Sequence, residues 1–510
     1  MKFAGLVTTA LVAPALFASA ATAQTAASVT SRIAAIQANA TARAATTPRD
    51  RVKAWNEVML QANLIDHSTG AGQLGPTRTS RAMAMTSIAV FDAVNSFDNR
   101  FRSYNSIPAA PAGASKNAAI ATAAYLVLRA LHPAQAVRLD GIYSSDISSL
   151  SRESASSVAA GVAVGRLSAE RMLARRSNDN SSAPEPNVGD GGVLARGATL
   201  NVRGQGVNSF SPNVIAPAPN WERDPVARQG TALGARWGNV TPFVLRTGDQ
   251  FRIPAVPNPN TARYRAGFQE VAARGADIAI PGSTNSAEDR FLGNFWGYDG
   301  QPILGTPPRL YNQIAITIAD QEGLGLNALV RMLALVNSSM GDSGIAAWDS
   351  KYFHNYWRPS TGVRRAAEDG DATTIAVPNW RAFGISILNN MAFAGLPREQ
   401  QTITPNFPAY PSGHATFGGA LFESLRVFVP NNTRFTFVSD ESNGTGTEVK
   451  SGEPARPFVP VRFRSLQEAQ DGNGDSRIAN GVHWEWDDTE GQTLGVNIAR
   501  FTVANAFQRR

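Results

Sequence analysis

The stretch Leu326-Asn-Ala-Leu-Val-Arg-Met-Leu-Ala-Leu-Val336 is apolar on almost every side, with Asn327 and Arg331 its interruptions. A helix so patterned has no face to give to solvent, which predicts a central helix surrounded by others. Between Ser115 and His132, residues Ile120, Ala123, Ala124, Val127, Leu128 and Leu131 recur at helical spacing, and Pro133 stops the run. Thr79–Val94, Ser154–Arg176, Ala287–Tyr298, Pro308–Asp320, Ser412–Phe428 and Gly491–Phe507 also read as helices, with alanine frequent enough for close packing. Ser177–Pro259 differs: Pro, Gly, Asn and Ser run through it without a sustained period. It predicts a long irregular connection lying on a helical body, with short strands around Thr199–Val202. Other strand signals are sparse, and no 20–50-residue repeat is visible. The expectation is a mainly α protein.

The 510 residues are 43% hydrophobic and 17% charged, enough apolar material for a substantial core. Cysteine is absent, which excludes disulfide scaffolds, zinc–thiolate sites, haem–thiolate oxidases and thiol peroxidases. The net charge of +7 comes from 42 arginines and five lysines against 40 acids. These arginines are scattered and form no tract or stripe, which speaks for a solvated surface and against nucleic-acid binding. At the start, Lys2 precedes an apolar run from Phe3 to Phe17, and Ala21-Thr22-Ala23 follows as a small-x-small motif. That is the pattern of a signal peptide over residues 1–23, cleaved after Ala23, for a secreted or periplasmic protein. No later run reaches ~18 uninterrupted apolar residues, so no membrane span is expected.

Three segments concentrate the chemistry: Lys351-x6-Arg358-Pro359, Pro411-Ser412-Gly413-His414, and Ser476-Arg477-x5-His483-x3-Asp487. On one helix, Lys351 and Arg358 would be two turns apart and point two cations to one side. Ser412 and Gly413 open a new apolar helix, whose free N–H groups and hydroxyl suit an oxyanion. His483 and Asp487, at i and i+4 of one helix face, would let the carboxylate hold the imidazole. Arg477 adds a bidentate donor. Singly, these strings also describe a solvated helix face, a plain N-cap and a structural His–Asp pair. In order, they make an oxyanion cradle with two histidines.

The ordered trio resembles the signature of the vanadium haloperoxidase and type-2 phosphatidic acid phosphatase superfamily, and within it the vanadium-dependent chloroperoxidases. Phe295-Trp-Gly-Tyr-Asp299-Gly, Gly305-Thr-Pro-Pro-Arg-Leu-Tyr311, Asp342-Ser-Gly-Ile-Ala-Ala-Trp348 and Phe407-Pro-Ala-Tyr-Pro-Ser-Gly-His-Ala-Thr-Phe-Gly-Gly419 look like theirs. The likeness is dense from about residue 287 to 500 and looser from 50 to 175. It implies two helical bundles in one globular unit with long irregular connections. The first helical half, with the long loop region, is expected over residues 24–260, and the half carrying the site over 261–510. The resemblance further implies a vanadate cofactor, with His483 as the vanadium ligand. Lys351, Arg358, Arg477, Ser412 and the Gly413 N–H would bind its oxygens, and His414 would serve as the acid–base residue. Lys351, His414 and His483 are thus the expected catalytic residues, with Asp299 supporting Arg477 and Asp487 supporting His483. Trp348 and Phe407 match the halide pocket. The partners implied are hydrogen peroxide and a halide: chloride, bromide or iodide.

The same core motifs also suit an acid phosphatase, with His483 as nucleophile and His414 protonating the leaving oxygen. An exported binding protein is a third reading, without a motif of its own beyond a calcium-like string. The chain departs from the family pattern in a short segment between the second and third motifs. It also carries acids near the third: Asp471-Gly-Asn-Gly-Asp475, Glu485 and Asp488. Asp471, Asn473 and Asp475 imitate the start of a calcium loop, but Ser476 and Val482 stand where that loop needs glycine and a bidentate acid. Gly341-Asp-Ser-Gly344 imitates a serine-protease nucleophile segment, though inside a predicted helix. His483, Glu485 and Asp487 as a divalent-metal cluster would lack a second nearby histidine. Halide preference, any organic acceptor and oligomeric state are left open by these motifs.

Overall fold

Hydroxyl caps set many of the helix starts. The side chains of Thr47, Ser115, Ser154, Thr261, Ser286, Ser412 and Ser465 each accept an N–H of the turn they precede. The computed structural model describes residues 45–186, 218–225, 231–384, 404–444 and 457–510; residues 1–23, expected to be a signal peptide, and the strands expected around Thr199–Val202 lie outside them. The first bundle contains α1 (Pro48–Thr69), α2 (Gly75–Asp98), α3 (Lys116–Leu131), α4 (Ala136–Ser148) and α5 (Ala155–Arg175). Then follow α6 (Ala262–Arg274), α7 (Ala287–Phe295), α8 (Pro307–Gln321), α9 (Leu326–His354) and the single turn α10 (Pro359–Gly362). The last three are α11 (Gly413–Leu425), α12 (Leu466–Ala479) and α13 (Glu485–Asn505).

The apolar stretch at 326–336 is the first part of α9, which runs for 29 residues, about 44 Å at 1.5 Å per residue. It joins the two bundles. Asn337 Nδ2 donates to Ser87 Oγ of α2 at 3.0 Å, while Ser424 Oγ of α11 bonds Ser339 Oγ at 3.2 Å. Helices α11 and α13 pack closest where side chains are missing. A Cβ on Gly495 would stand 2.0 Å from the Thr416 carbonyl oxygen, and one on Gly419 2.5 Å from that of Gln492. The molecule is mainly α, in two helical bundles. Its sheet, among the described residues, is one antiparallel pair, β1 (Phe435–Phe437) with β2 (Val461–Phe463), in the register Phe435 to Phe463.

The described parts of 177–259 are irregular and lie on the helices. Asp342, buried in α9, accepts the N–H groups of Phe243, Val244 and Leu245 at 2.6, 2.8 and 2.9 Å. The protease-like string is thus a stretch of helix whose aspartate anchors this connection. Likewise Asp471–Asp475 lies inside α12, so it is not a calcium loop, and Asp475 pairs with Arg274. Among the described residues no helix is long and apolar enough to cross a membrane.

Candidate functional site

Helix α9 stops because Asn355 takes a left-handed conformation (φ 48°) and returns its N–H to the Lys351 carbonyl. The chain then runs extended into Arg358, the N-cap of α10. Lys351 and Arg358 therefore enter from a helix end and from the segment after it, not from one helix face as their spacing predicts. Ser412 is the N-cap of α11, with its Oγ accepting the Ala415 N–H at 3.3 Å. Its own N–H donates to the Asp487 carbonyl at 2.8 Å, joining the starts of α11 and α13. His483 also departs from expectation: it precedes α13, and Asp487 is the third residue of that helix. The pair is made across the helix start, where Asp487 Oδ2 takes the Trp484 N–H at 3.1 Å and His483 Nδ1 at 2.7 Å.

Partners settle the imidazole protons. His483 Nδ1–H donates to Asp487, and its Nε2 lone pair faces Arg358 Nη1 at 3.0 Å, a group that only donates. Burial, then the charges of Arg358, Lys351 and Arg477, hold His483 neutral, well below its ordinary range. The Asp487 carboxyl is pushed up to about 7 by burial. His414 donates Nε2–H to the Gly297 carbonyl at 2.8 Å, and burial followed by the Arg477 charge pushes it well down.

The cations are held differently from one another. Lys351 Nζ, fully buried, donates to the carbonyls of Pro408 at 3.0 Å, Ala409 at 2.9 Å and Pro411. All three ammonium hydrogens tie the Phe407–Gly413 segment to α9, and in this arrangement Lys351 offers the site its charge. Burial, reinforced by Arg358, lowers its pKa well below the lysine range. Arg358 donates Nε to the Phe407 carbonyl at 3.0 Å and Nη1 to that of Val482 at 2.7 Å. Burial lowers this guanidinium to about 9. Arg477 grips Asp299 through both Nη atoms, at 2.7 and 3.1 Å. Burial raises the Asp299 carboxyl, and Arg477 opposes that rise.

Trp348 and Phe407 lie together, ring centres 4.8 Å apart. Lys351 Nζ stands 5.0 Å and the Arg358 guanidinium 4.9 Å from the Phe407 ring. A Cβ on Gly413 would come within 3.3 Å of Trp348. The acids that depart from the family pattern point elsewhere: Glu485 pairs with Arg263 of α6 at 3.0 Å, and Asp488 bonds Gln492 at 2.9 Å. Three residues given no role from the sequence stand behind the site. Asn473 Nδ2 donates to the His414 carbonyl at 2.8 Å, Tyr311 bonds both groups, and Gly297 receives His414. The signal for Asn473 was its place one helical turn before Arg477; that for Gly297, its place two residues before Asp299.

Two buried donors, Arg358 Nη2 and Arg477 Nε, have no partner among the described residues. Leaving such groups unpaired costs about 1–3 kcal/mol each, so an acceptor-rich anion suits the space beside them. With the lone pair of His483 and the start of α11, the donor set fits a vanadate-sized oxyanion.

Residues 331–509 match the model of the VCPO second helical-bundle domain. That part of the chain is thus similar to the second helical bundle of the vanadium chloroperoxidases, as its motifs imply. It is 27% identical to the vanadium chloroperoxidase of Curvularia inaequalis, across 85% of this chain and 78% of that protein. Its fold is similar to that of the first bacterial vanadium-dependent iodoperoxidase (TM-score 0.66, 19% identity, 90% of this chain and 97% of the other). It is also similar to a holo-type bacterial vanadium-dependent chloroperoxidase (TM-score 0.58, 16% identity, 84% and 92%). The likeness in fold extends over both bundles.

Proposed function

We propose that this protein is an exported, vanadate-dependent haloperoxidase that uses hydrogen peroxide to oxidise a halide to hypohalous acid. The observation that carries the reading is the pair of unpartnered donors, Arg358 Nη2 and Arg477 Nε, beside a neutral imidazole. His483 is the ligand through Nε2, held in that tautomer by Asp487. Arg358, Arg477, Ser412 and the Gly413 N–H bind the oxygens, and Lys351 adds positive charge. When bound, vanadate supplies a Lewis acid that activates peroxide without changing its own oxidation state. His414 takes and gives a proton at Nδ1, its Nε2–H being fixed by Gly297. Trp348 and Phe407 give the halide an apolar wall. Residues 24–260 form the supporting half and 261–510 the half that carries the site.

The test is purified protein with added orthovanadate, assayed for bromination of a phenolic dye with peroxide and bromide. Phosphate-ester hydrolysis without vanadate is measured alongside. Bromination that requires both vanadate and peroxide is expected. Hydrolysis with no bromination would overturn the reading in favour of an acid phosphatase using His483 as nucleophile.

A further inference from the structure

Tyr298 stands between two residues that hold the site from behind. Gly297 on one side accepts His414 Nε2–H at 2.8 Å, and Asp299 on the other holds Arg477 at 2.7 Å. The Tyr298 side chain leaves in another direction. Its φ of 46° is left-handed, uncommon for so bulky a residue, so the surroundings must hold it there. They do so with a closed ring of hydrogen bonds. The Tyr298 hydroxyl donates to Gln313 Oε1 at 2.9 Å and accepts the Asp440 N–H at 2.7 Å. Gln313 Nε2 donates in turn to Asp440 Oδ2 at 3.2 Å. Arg309, buried in α8, reaches the same carboxylate oxygen at 2.5 Å. One residue earlier, Ser439 Oγ donates to the Phe295 carbonyl at 2.6 Å. The turn at Ser439–Asp440, distant in sequence, is therefore fastened to Phe295–Asp299 at two points.

We infer that Tyr298 and Asp440 are positioning residues of the oxyanion site: the Tyr298–Gln313–Asp440 ring fixes Gly297 and Asp299, and through them His414 and Arg477. The inference rests on the reading of this site as an oxyanion site. A ring that served stability alone would change the unfolding temperature and leave anion affinity as it was.

The variants are Tyr298→Phe, which removes the hydroxyl and keeps the ring's packing, and Asp440→Asn. Asp299→Asn and the double variant Tyr298→Phe/Asp299→Asn complete a cycle. Orthovanadate binding is measured by calorimetry on the full chain, at a temperature where circular dichroism shows every variant folded. Each single variant should weaken binding by roughly tenfold or more, the scale of one charge-assisted hydrogen bond. The double variant should bind about as the weaker single one does, because both changes release the same arginine. Wild-type affinity in Tyr298→Phe, or losses that multiply fully in the double variant, would overturn the inference. Should Tyr298→Phe fail to fold, Asp440→Asn carries the same cycle. A wild-type chain that takes up no orthovanadate overturns the functional reading instead.

Discussion

His483 and His414 are both buried and neutral, yet their partners commit them to different work. With Nδ1–H given to Asp487, His483 has only Nε2 to offer, and no other side chain of the site presents an uncharged nitrogen lone pair at that position. His483→Ala should therefore abolish vanadate retention, read as vanadium content after dialysis; stoichiometric retention would remove it as the ligand. His414→Ala should keep vanadate and lose roughly 10²–10⁴-fold in turnover, the usual share of a general acid–base group. Equal loss of metal and rate would make His414 a structural residue. Phe407 is nearly buried, with Trp348 beside it and two cations near its ring. An apolar wall lowers the local dielectric and strengthens the pull of those cations on activated oxygen. Phe407→His should reduce chloride oxidation more than bromide oxidation on vanadate-saturated enzyme, with affinity for vanadate little changed. Parallel losses for both halides would leave Phe407 as packing.

The helix starts converge, and that convergence carries a cost. Helix α13 begins with Glu485, Asp487 and Asp488, acids that suit the positive end of a helix. Asp488, however, is buried, and burial pushes its carboxyl up from 3.8 to about 7. The folded state thus keeps its proton where the unfolded chain has released it, and stability is lost as pH rises from about 4 to about 7. Asp488→Asn removes that loss while preserving the contact with Gln492. The variant should match wild type near pH 4 and exceed it above pH 7 by up to about 4 kcal/mol. Urea unfolding across this range checks it; a constant difference between the two proteins would mean that Asp488 does not titrate as described. Helix α12 shows a different side of the same packing. Leu466–Ala479 is polar and carries Gly472 and Gly474, so its sequence argues against a helix. Gly474 is there because a Cβ would lie 1.8 Å from Asp488 Oδ1. A packing need replaced a good helix former with a poor one and hid the element.

At the scale of the whole molecule, Asp342 fastens the long connection to the central helix. Its carboxylate accepts three backbone N–H groups, so removing it leaves two buried donors, of Phe243 and Leu245, and the part-buried one of Val244 without their acceptor. Asp342→Ala should lower stability by about 3 kcal/mol or more and expose residues near 243–245 to limited proteolysis. An unchanged melting temperature and digestion pattern would show that the anchor is dispensable. The central helix and most of its neighbours were legible because burial writes a period into the chain, as at 326–336 and 115–132. The side chains of the site were legible because oxyanion chemistry needs charged groups, a hydroxyl and histidines, and these stand out in ordered motifs. Their geometry was not. Spacing placed Lys351 and Arg358 on one helix, and His483 and Asp487 on another, but a left-handed Asn355 and the late start of α13 moved one member of each pair off it. Helix ends depend on capping and on what packs against them, and neither is periodic. Asn473, Gly297 and the Tyr298–Gln313–Asp440 ring were silent for a related reason: each acts across more than a hundred residues or through a backbone carbonyl, or both. The amino-acid sequence alone determined the helical class and the chemical character of the site, because those follow from local pattern and residue type. Only the tertiary structure decided which proton each histidine carries and which arginine nitrogens remain for an anion, because those depend on partners that folding brings together.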